Sequence, residues 1–391
     1  MPHDVHEAAF PSAADAAIVG AGVCGLAIGW RLAQRGLKVA IFERERAGAG
    51  ASHAATGMLA AAAEVEPGED DLLPLLLESQ RLWPTFRDEV EAASGRSIDY
   101  RADGVLVVAL GREEVERLRF RFDLQQRLGL ATEWLGGGEA RRREPGLRPA
   151  VSAAISCPGD HQVEARLLVA ALAKAFVAAG GILLENCSAE RLETAGGRVA
   201  GVVTGQGTCR AATVVLAAGA WSAALPGLPA EAVLPVRPLK GQSLALRMPV
   251  GAPTLGRMVW TEQVYLAPKS DGRLIVGATV EEKGFDDSLT AGGVYALLDG
   301  ARRALPGIEE LAIDEIWCGF RPSSRDDAPI LGETALPGLV VATGHHRNGI
   351  LLAPVTAQAI ADLVLDGAMR GPAAHFTAAR FAPAPRAEAA E

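Results

Sequence analysis

An apolar run, Ala16–Val19, leads into the turn Gly20-x-Gly22-x-x-Gly25. A helical pattern follows to Gln34, Gly36 breaks it, and a second apolar run, Lys38–Phe42, ends on Glu43. This order of elements constrains the chain more than any other stretch. Gly20 makes the tight turn, Gly22 lets the backbone approach a pyrophosphate, and Gly25 lets the helix pack closely on the strand. The first turn of the helix, with Val23 and Cys24, offers free N–H groups and a positive dipole end to phosphate oxygens. Glu43 stands 18 residues past Gly25, where a carboxylate can accept both ribose hydroxyls. These features predict a dinucleotide site but do not choose between NAD and FAD.

The 391 residues suffice for a large core or two domains. Hydrophobic residues make up 49% and charged residues 22%, a globular composition. A net charge of −9 with no long basic run argues against nucleic acid as a partner. No apolar run reaches 18 residues and the N-terminus lacks a signal-peptide pattern, so the expectation is a soluble cytoplasmic protein with no membrane partner. Five cysteines without a C-x-x-C pair fit reduced thiols. The seven histidines show no metal spacing, and the adjacent His345 and His346 are expected to splay apart, so no metal is expected.

Residues 1–14 and 371–391 read as Ala/Pro-rich tails. Helices are expected through Leu75–Phe86, Glu113–Gln126, Glu164–Ala179 and Pro354–Leu365. Strands are expected at Ile98–Tyr100, Val105–Ala109, Ile182–Leu184, Arg198–Thr204, Cys209–Leu216 and Leu339–Thr343. A hairpin is expected from Gln263–Ala267 and Arg273–Thr279 around Pro268–Gly272. The β-rich pieces interrupt a βα domain, so two interleaved domains fit better than two in tandem. The expected class is α/β: a Rossmann-like FAD-binding domain (15–90, 151–235 and 326–370) interleaved with an antiparallel-sheet (α+β) substrate domain (91–150 and 236–325).

Three features favour FAD. A loop of small residues, Gly48–Met58, lets backbone lie along an extended cofactor, with Ala51 and Ser52 near the pyrophosphate and Thr56, Gly57 and Met58 near the ring, although a methionine there also serves as core filler. The run Ala211–Gly219 ends a buried strand on a glycine, a pattern common beside FAD. Gly344-His345-His346-Arg347-Asn348-Gly349 enters a helix with Ile350 and Leu351, aiming N–H groups forward. Such a terminus stabilises negative charge on a reduced flavin by about 0.3–1 kcal/mol when exposed and more when buried.

At Ala55-Thr-Gly-Met-Leu59, Ser79-Gln-Arg-Leu82, Gly277-Ala-Thr279, Gly319-Phe-Arg-Pro322 and Gly344–Pro354 the chain resembles the glycine oxidase branch of the D-amino-acid-oxidase-like flavoproteins. The likeness runs from Ala17 to about Gly367. It implies that Arg321 clamps a substrate carboxylate, that Tyr265 donates its hydroxyl to the same group, and that Arg347 sits beside substrate and flavin, with contact to either left open. Glu43 and Arg44 would hold the adenosine end, Ala189 would touch adenine through its backbone, and Gly219 would border the cofactor. Related enzymes tether flavin through histidine in His-Ala-Ala-Gly; here His53 is one residue out of step, and Cys318 is offset from another family's tether, so FAD is expected to bind non-covalently. The implied reaction is oxidative deamination of glycine or a similarly small amine, with hydride passing to flavin, oxygen as acceptor and hydrogen peroxide as product. No Asp/Glu or His dyad stands out as a base. Thiazole assembly for thiamine and a homotetramer are further implications of the resemblance. A D-amino acid dehydrogenase passing electrons to a quinone, and a flavin-binding subunit without chemistry of its own, remain as alternatives.

Overall fold

The glycine turn ends the strand β1 (Ala16–Val19) in the middle of a six-stranded sheet. In this computed structural model, residues 9–381 are described, apart from 230, 231, 233, 250 and 252. The sheet runs Ile330–Glu333, Leu339–Thr343, Thr213–Leu216, β1, β2 (Val39–Phe42) and Ile182–Leu184. It is parallel except for the edge strand Ile330–Glu333. Every residue of β1 and β2 is buried, as expected of a parallel sheet covered on both faces. One face carries α1 (Val23–Gln34) and the helices Leu73–Ser94, Ala165–Ala178 and Ala353–Asp366. The other face packs on the three-stranded sheet built from Ala189–Ala195, Arg198–Thr204 and Gly207–Arg210.

A second, eight-stranded sheet runs Ala312–Ser324, Val236–Arg247, Arg273–Gly277, Tyr265–Pro268, Met258–Trp260, Val105–Ala109, Ala153–Cys157 and Glu133–Gly136. All its pairs are antiparallel except Met258–Trp260 with Val105–Ala109. The helix Ala291–Ala304, capped by the Thr290 hydroxyl on the Gly293 N–H, covers one face. Strands of this sheet come from both sides of the Thr213–Leu216 segment, so the chain crosses between the two sheets more than once.

Several elements differ from expectation for local reasons. Leu73–Ser94 outruns the expected helix at both ends; Pro84 lies inside it, and the helix stops only where Gly95 turns left-handed at φ 64°. Ile98–Tyr100 is not a strand, because Asp99 adopts φ 51°. The expected strand Cys209–Leu216 breaks between Arg210 and Thr213, where the chain leaves one sheet for another. Both expected tails dock in part. Phe10 packs on Phe42 with ring centroids 6.0 Å apart, and the Ala14 N–H donates to the Arg210 carbonyl at 2.9 Å. Ala373 and Phe376 are buried, and Arg380 pairs with Asp326 at 2.8 Å. Residues 1–8 and 382–391 lie outside the described residues.

Candidate active site

The two sheets border a cavity of about 610 Å³ that runs from the glycine turn to the inner face of the eight-stranded sheet. At the turn, Gly20 has φ 105°, and a Cβ there would lie 2.5 Å from the Ala217 carbonyl oxygen. Only glycine fits both the dihedral and the approach. Gly22 caps α1 without a side chain, and the Ser52 hydroxyl accepts the Val23 N–H at 3.0 Å. That leaves the Ser52 O–H as a donor facing the cavity beside Cys24 and Ala51. Glu43 accepts the Ala21 N–H at 2.8 Å and the Glu45 N–H at 3.1 Å, which orients its carboxylate at the end of β2.

The adenosine end is more aromatic than the sequence suggested. The Arg44 guanidinium stacks 3.8 Å above the Trp221 ring, near Ala189 and Gly219 in the cavity wall. Trp221 lies in the Ala-Gly-Ala-Trp-Ser run, and a tryptophan after the terminal glycine was the available signal.

The donor set suits a flavin dinucleotide. The Thr56 hydroxyl is buried on the cavity wall with no hydrogen-bond partner, an acceptor or donor placed for a polar ligand edge. Its loop is held from behind by Lys269, whose buried ammonium donates to the carbonyls of Thr56 at 2.7 Å and Val163 at 2.8 Å and to the Gln162 amide at 3.2 Å. Burial lowers the Lys269 pKa to about 8. Gly57 and Met58 continue this wall, and Met58 pairs with Gln162 in a short two-stranded ladder.

Arg321 and Tyr265 face the same cavity from neighbouring parts of the eight-stranded sheet. The Arg321 guanidinium donates to the Thr279 carbonyl at 3.1 Å, and among the described residues no acid pairs with it. It lies across Gly241, where a Cβ would come 2.5 Å from Nη1. Tyr265 lies opposite Gly277, where a Cβ would come 2.5 Å from its hydroxyl. These two glycines, of which only Gly277 lies in a motif the sequence reading quoted, make room for the polar side chains.

Arg347 is committed elsewhere. Its Nε donates to Glu64 at 3.0 Å, and Nη2 donates to the Glu64 carbonyl at 3.0 Å and to both Glu69 oxygens at 2.7 and 2.8 Å. Burial raises the Glu64 carboxyl to about 7 against the lowering pull of Arg347. Glu64 lines the cavity as an acid the sequence reading did not single out, and Arg347 occupies it. Its place in an alanine-rich stretch carried no periodic signal.

His345 and His346 do splay apart. His345 meets Thr356 at 3.0 Å and Cys24 at 3.7 Å, while His346 meets Ser323 at 3.1 Å. Burial lowers both imidazoles to about 4, so both are neutral at pH 7. Burial likewise pushes the Cys24 thiol up to about 12, which makes it inert packing. Gly349 and Ile350 also line the cavity.

Four expected cofactor residues do not line it: Gly25, Gly344, Asn348 and Leu351. Gly25 sits inside α1 against the Gly20 carbonyl, so its role is the close packing of helix on strand. Gly344 turns the chain at φ 73°. Asn348 donates its N–H to the His345 carbonyl at 2.9 Å, and the Leu351 carbonyl accepts from Ser79 at 2.6 Å and Trp83 at 2.8 Å. They build the turn that presents their neighbours. That turn contains a short 3-10 segment, His346–Asn348, before the helix Ala353–Asp366, which begins one residue ahead of the expected Pro354.

Comparison with known proteins agrees with this geometry. A family model described as DAO, FAD dependent oxidoreductase, matches residues 15–363. Glycine oxidase of Geobacillus kaustophilus is 41% identical over 354 residues, covering 90% of this chain and 92% of that protein. The bifunctional protein ThiO/ThiG of Trichormus variabilis is 38% identical over 370 residues; these cover 94% of this chain and 55% of that protein. The crystal structure of glycine oxidase from Geobacillus kaustophilus superposes with a TM-score of 0.88 at 39% identity, covering 95% of this chain and 100% of that one. A glycine turn, an acid after the second strand and a family match that spans both sheets together mean that the chain belongs to the DAO family of FAD-dependent oxidoreductases.

Proposed function

We propose that this protein is an FAD-dependent amino acid oxidase of the glycine oxidase type, oxidising glycine to the imine and then to glyoxylate and ammonia, with oxygen as acceptor. One observation carries the substrate assignment: an arginine without an acid partner among the described residues, Arg321, shares a cavity with the dinucleotide turn. The relatives called glycine oxidase support the same reading. Bound in the cavity, FAD supplies the two-electron acceptor for an amine Cα–H bond.

The residues of the chain perform positioning. The Arg321 guanidinium grips a carboxylate through two parallel N–H···O bonds, each contributing roughly 1.5–3 kcal/mol. Tyr265 adds its hydroxyl to the same group. The substrate amine has to be neutral for its lone pair to assist the departure of hydrogen from Cα. His345 and His346, both neutral at pH 7, add no positive charge against it. The cavity walls exclude water from the reacting carbon, and the sheet holds the substrate in one orientation.

We take residues 15–90, 151–235 and 326–370 as the FAD-binding part and 91–150 and 236–325 as the substrate part; the sheets support this division except at Ala153–Cys157, which pairs in the eight-stranded sheet. Non-covalent binding is supported by His53 and Cys318, neither of which lines the cavity. A cytoplasmic homo-oligomer is the setting the family resemblance supports; among the described residues, no helix is long and apolar enough to cross a membrane. Thiamine thiazole synthesis is the destination supported by the likeness to the ThiO/ThiG protein.

Peroxide release under air from glycine, D-alanine and D-proline tests the reading. Release with glycine at the highest kcat/KM supports it. Flavin bleaching without peroxide, or preference for the larger substrates, would favour a dehydrogenase passing electrons to a quinone.

A further inference from the structure

Besides Arg44 at the adenosine end, two arginines line the cavity, and the chain treats them in opposite ways. Among the described residues, Arg321 meets only a backbone carbonyl, at 3.1 Å. Arg347 has its Nε and Nη2 engaged by two carboxylates and a carbonyl. Both line the same cavity. We propose that Glu64 and Glu69 set substrate selectivity by cancelling Arg347, so that the cavity admits amines with one carboxylate and turns away those with a second anionic group.

The argument rests on the functional reading above and deepens it. A free arginine beside the Arg321 anchor would be a second anion clamp, because a guanidinium fork fits any carboxylate presented in plane. With Nε and Nη2 engaged, that fork has no open edge on the glutamate side. The side chains are withdrawn from water, at 5% exposure for Glu64, 18% for Glu69 and 25% for Arg347, so solvent screens the group weakly. The ensemble of two glutamates and one arginine offers no net positive charge, and Glu66, also in the cavity wall, adds a further carboxylate. A second anionic group on a substrate would meet that side of the cavity without a cation to receive it.

Glu64 is also prevented from swinging aside. Asp160 accepts the N–H groups of Ala62 at 3.1 Å and Ala63 at 2.6 Å. Gln125 donates to the Ala62 carbonyl at 2.9 Å and Arg121 to the Ala63 carbonyl at 2.7 Å. Four polar contacts, two from Asp160 and two from the helix Arg112–Arg127, hold the two residues before Glu64.

The test uses the FAD-loaded enzyme and the variants E64Q, E69Q and the double variant. The kcat/KM ratio of iminodiacetate to glycine is expected to rise at least tenfold in the double variant, mainly through a lower KM for iminodiacetate. Adding R347M to the double variant should abolish the gain, since the cation that was released is then absent. Equilibrium binding of malonate relative to acetate, followed by the flavin difference spectrum, should shift in the same direction without any turnover. An unchanged iminodiacetate-to-glycine ratio and malonate-to-acetate ratio, in variants that retain FAD, would overturn the proposal. If E64Q does not fold, E69Q alone must still move both ratios upward, and its failure to do so counts against the proposal. Should the wild-type enzyme not oxidise glycine, the functional reading fails by that result, while the malonate-to-acetate comparison still decides the role of the glutamates.

Discussion

Substituting Gly241 by alanine tests the carboxylate anchor without touching Arg321. Gly241 is not among the residues with left-handed φ, so alanine meets no backbone penalty there. Its Cβ, however, would lie 2.5 Å from Arg321 Nη1, 2.8 Å from Nη2 and 2.9 Å from Cζ. Restoring ordinary van der Waals separation requires the guanidinium to retreat by about 1 Å. The retreat also breaks its bond to the Thr279 carbonyl. A misplacement of about 1 Å in a positioning group costs up to about 100-fold, so kcat/KM for glycine is expected to fall about 10- to 100-fold, or about 1.4–2.7 kcal/mol. Because the atom displaced is the end of a flexible side chain, the core is untouched and the melting temperature should move by less than about 2 °C. Steady-state peroxide release, FAD content by absorbance and a melting curve form the assay. Arg321→Ala is the upper benchmark, with loss of two charge-assisted bonds of about 1.5–3 kcal/mol each. If G241A keeps its FAD and its kcat/KM stays within about twofold of wild type, the guanidinium does not position the substrate and the reasoning fails.

Gly20→Ala combines a φ of 105° with a Cβ 2.5 Å from a backbone oxygen, so it should purify with little FAD; full flavin occupancy would contradict the close approach. Tyr265→Phe keeps the ring over Gly277 and removes one hydroxyl bond to a charged group, so KM for glycine should rise about tenfold; an unchanged KM would remove Tyr265 from the carboxylate site. Burial raises the Asp160 carboxyl from 3.8 to about 6 against the N–H bonds of Ala62 and Ala63 and the Gln80 amide, so the folded protein binds the extra proton. Its contribution is therefore present below pH 3.8 and lost as pH rises through 6, about 3 kcal/mol in all. Glu64, raised to about 7 by burial, acts in the same direction. Asp160→Asn should flatten the fall in melting temperature between pH 4 and 6.5, and an identical slope in both proteins would refute the assignment.

What could be read from the sequence was local, and what could not was a matter of register. The β1–turn–α1–β2 unit needs only periodicity, three glycines and an acid, all within Ala16–Glu43, and the structure reproduces it residue by residue. Arg321 stood out through the short motif Gly319-Phe-Arg-Pro322, and Tyr265 through what the family resemblance implies. The need for Gly241 and Gly277 could not be read, because it depends on which residue of a neighbouring strand lies across from which. Tyr265 sits directly opposite Gly277. Arg321 pairs with Leu239, and its guanidinium reaches diagonally over Gly241, two residues along. A slip of one residue would place a different side chain under each. The fate of Arg347 was hidden for the same reason at longer range, since its partners lie 283 and 278 residues away in a stretch whose alanines signal nothing. Arginine as a residue type therefore says little about charge in this cavity. Besides Arg44 at the adenosine end, two arginines line it, and the one left open to an anion is decided by contacts made from Asp160, Gln125 and Arg121, far from either in the chain.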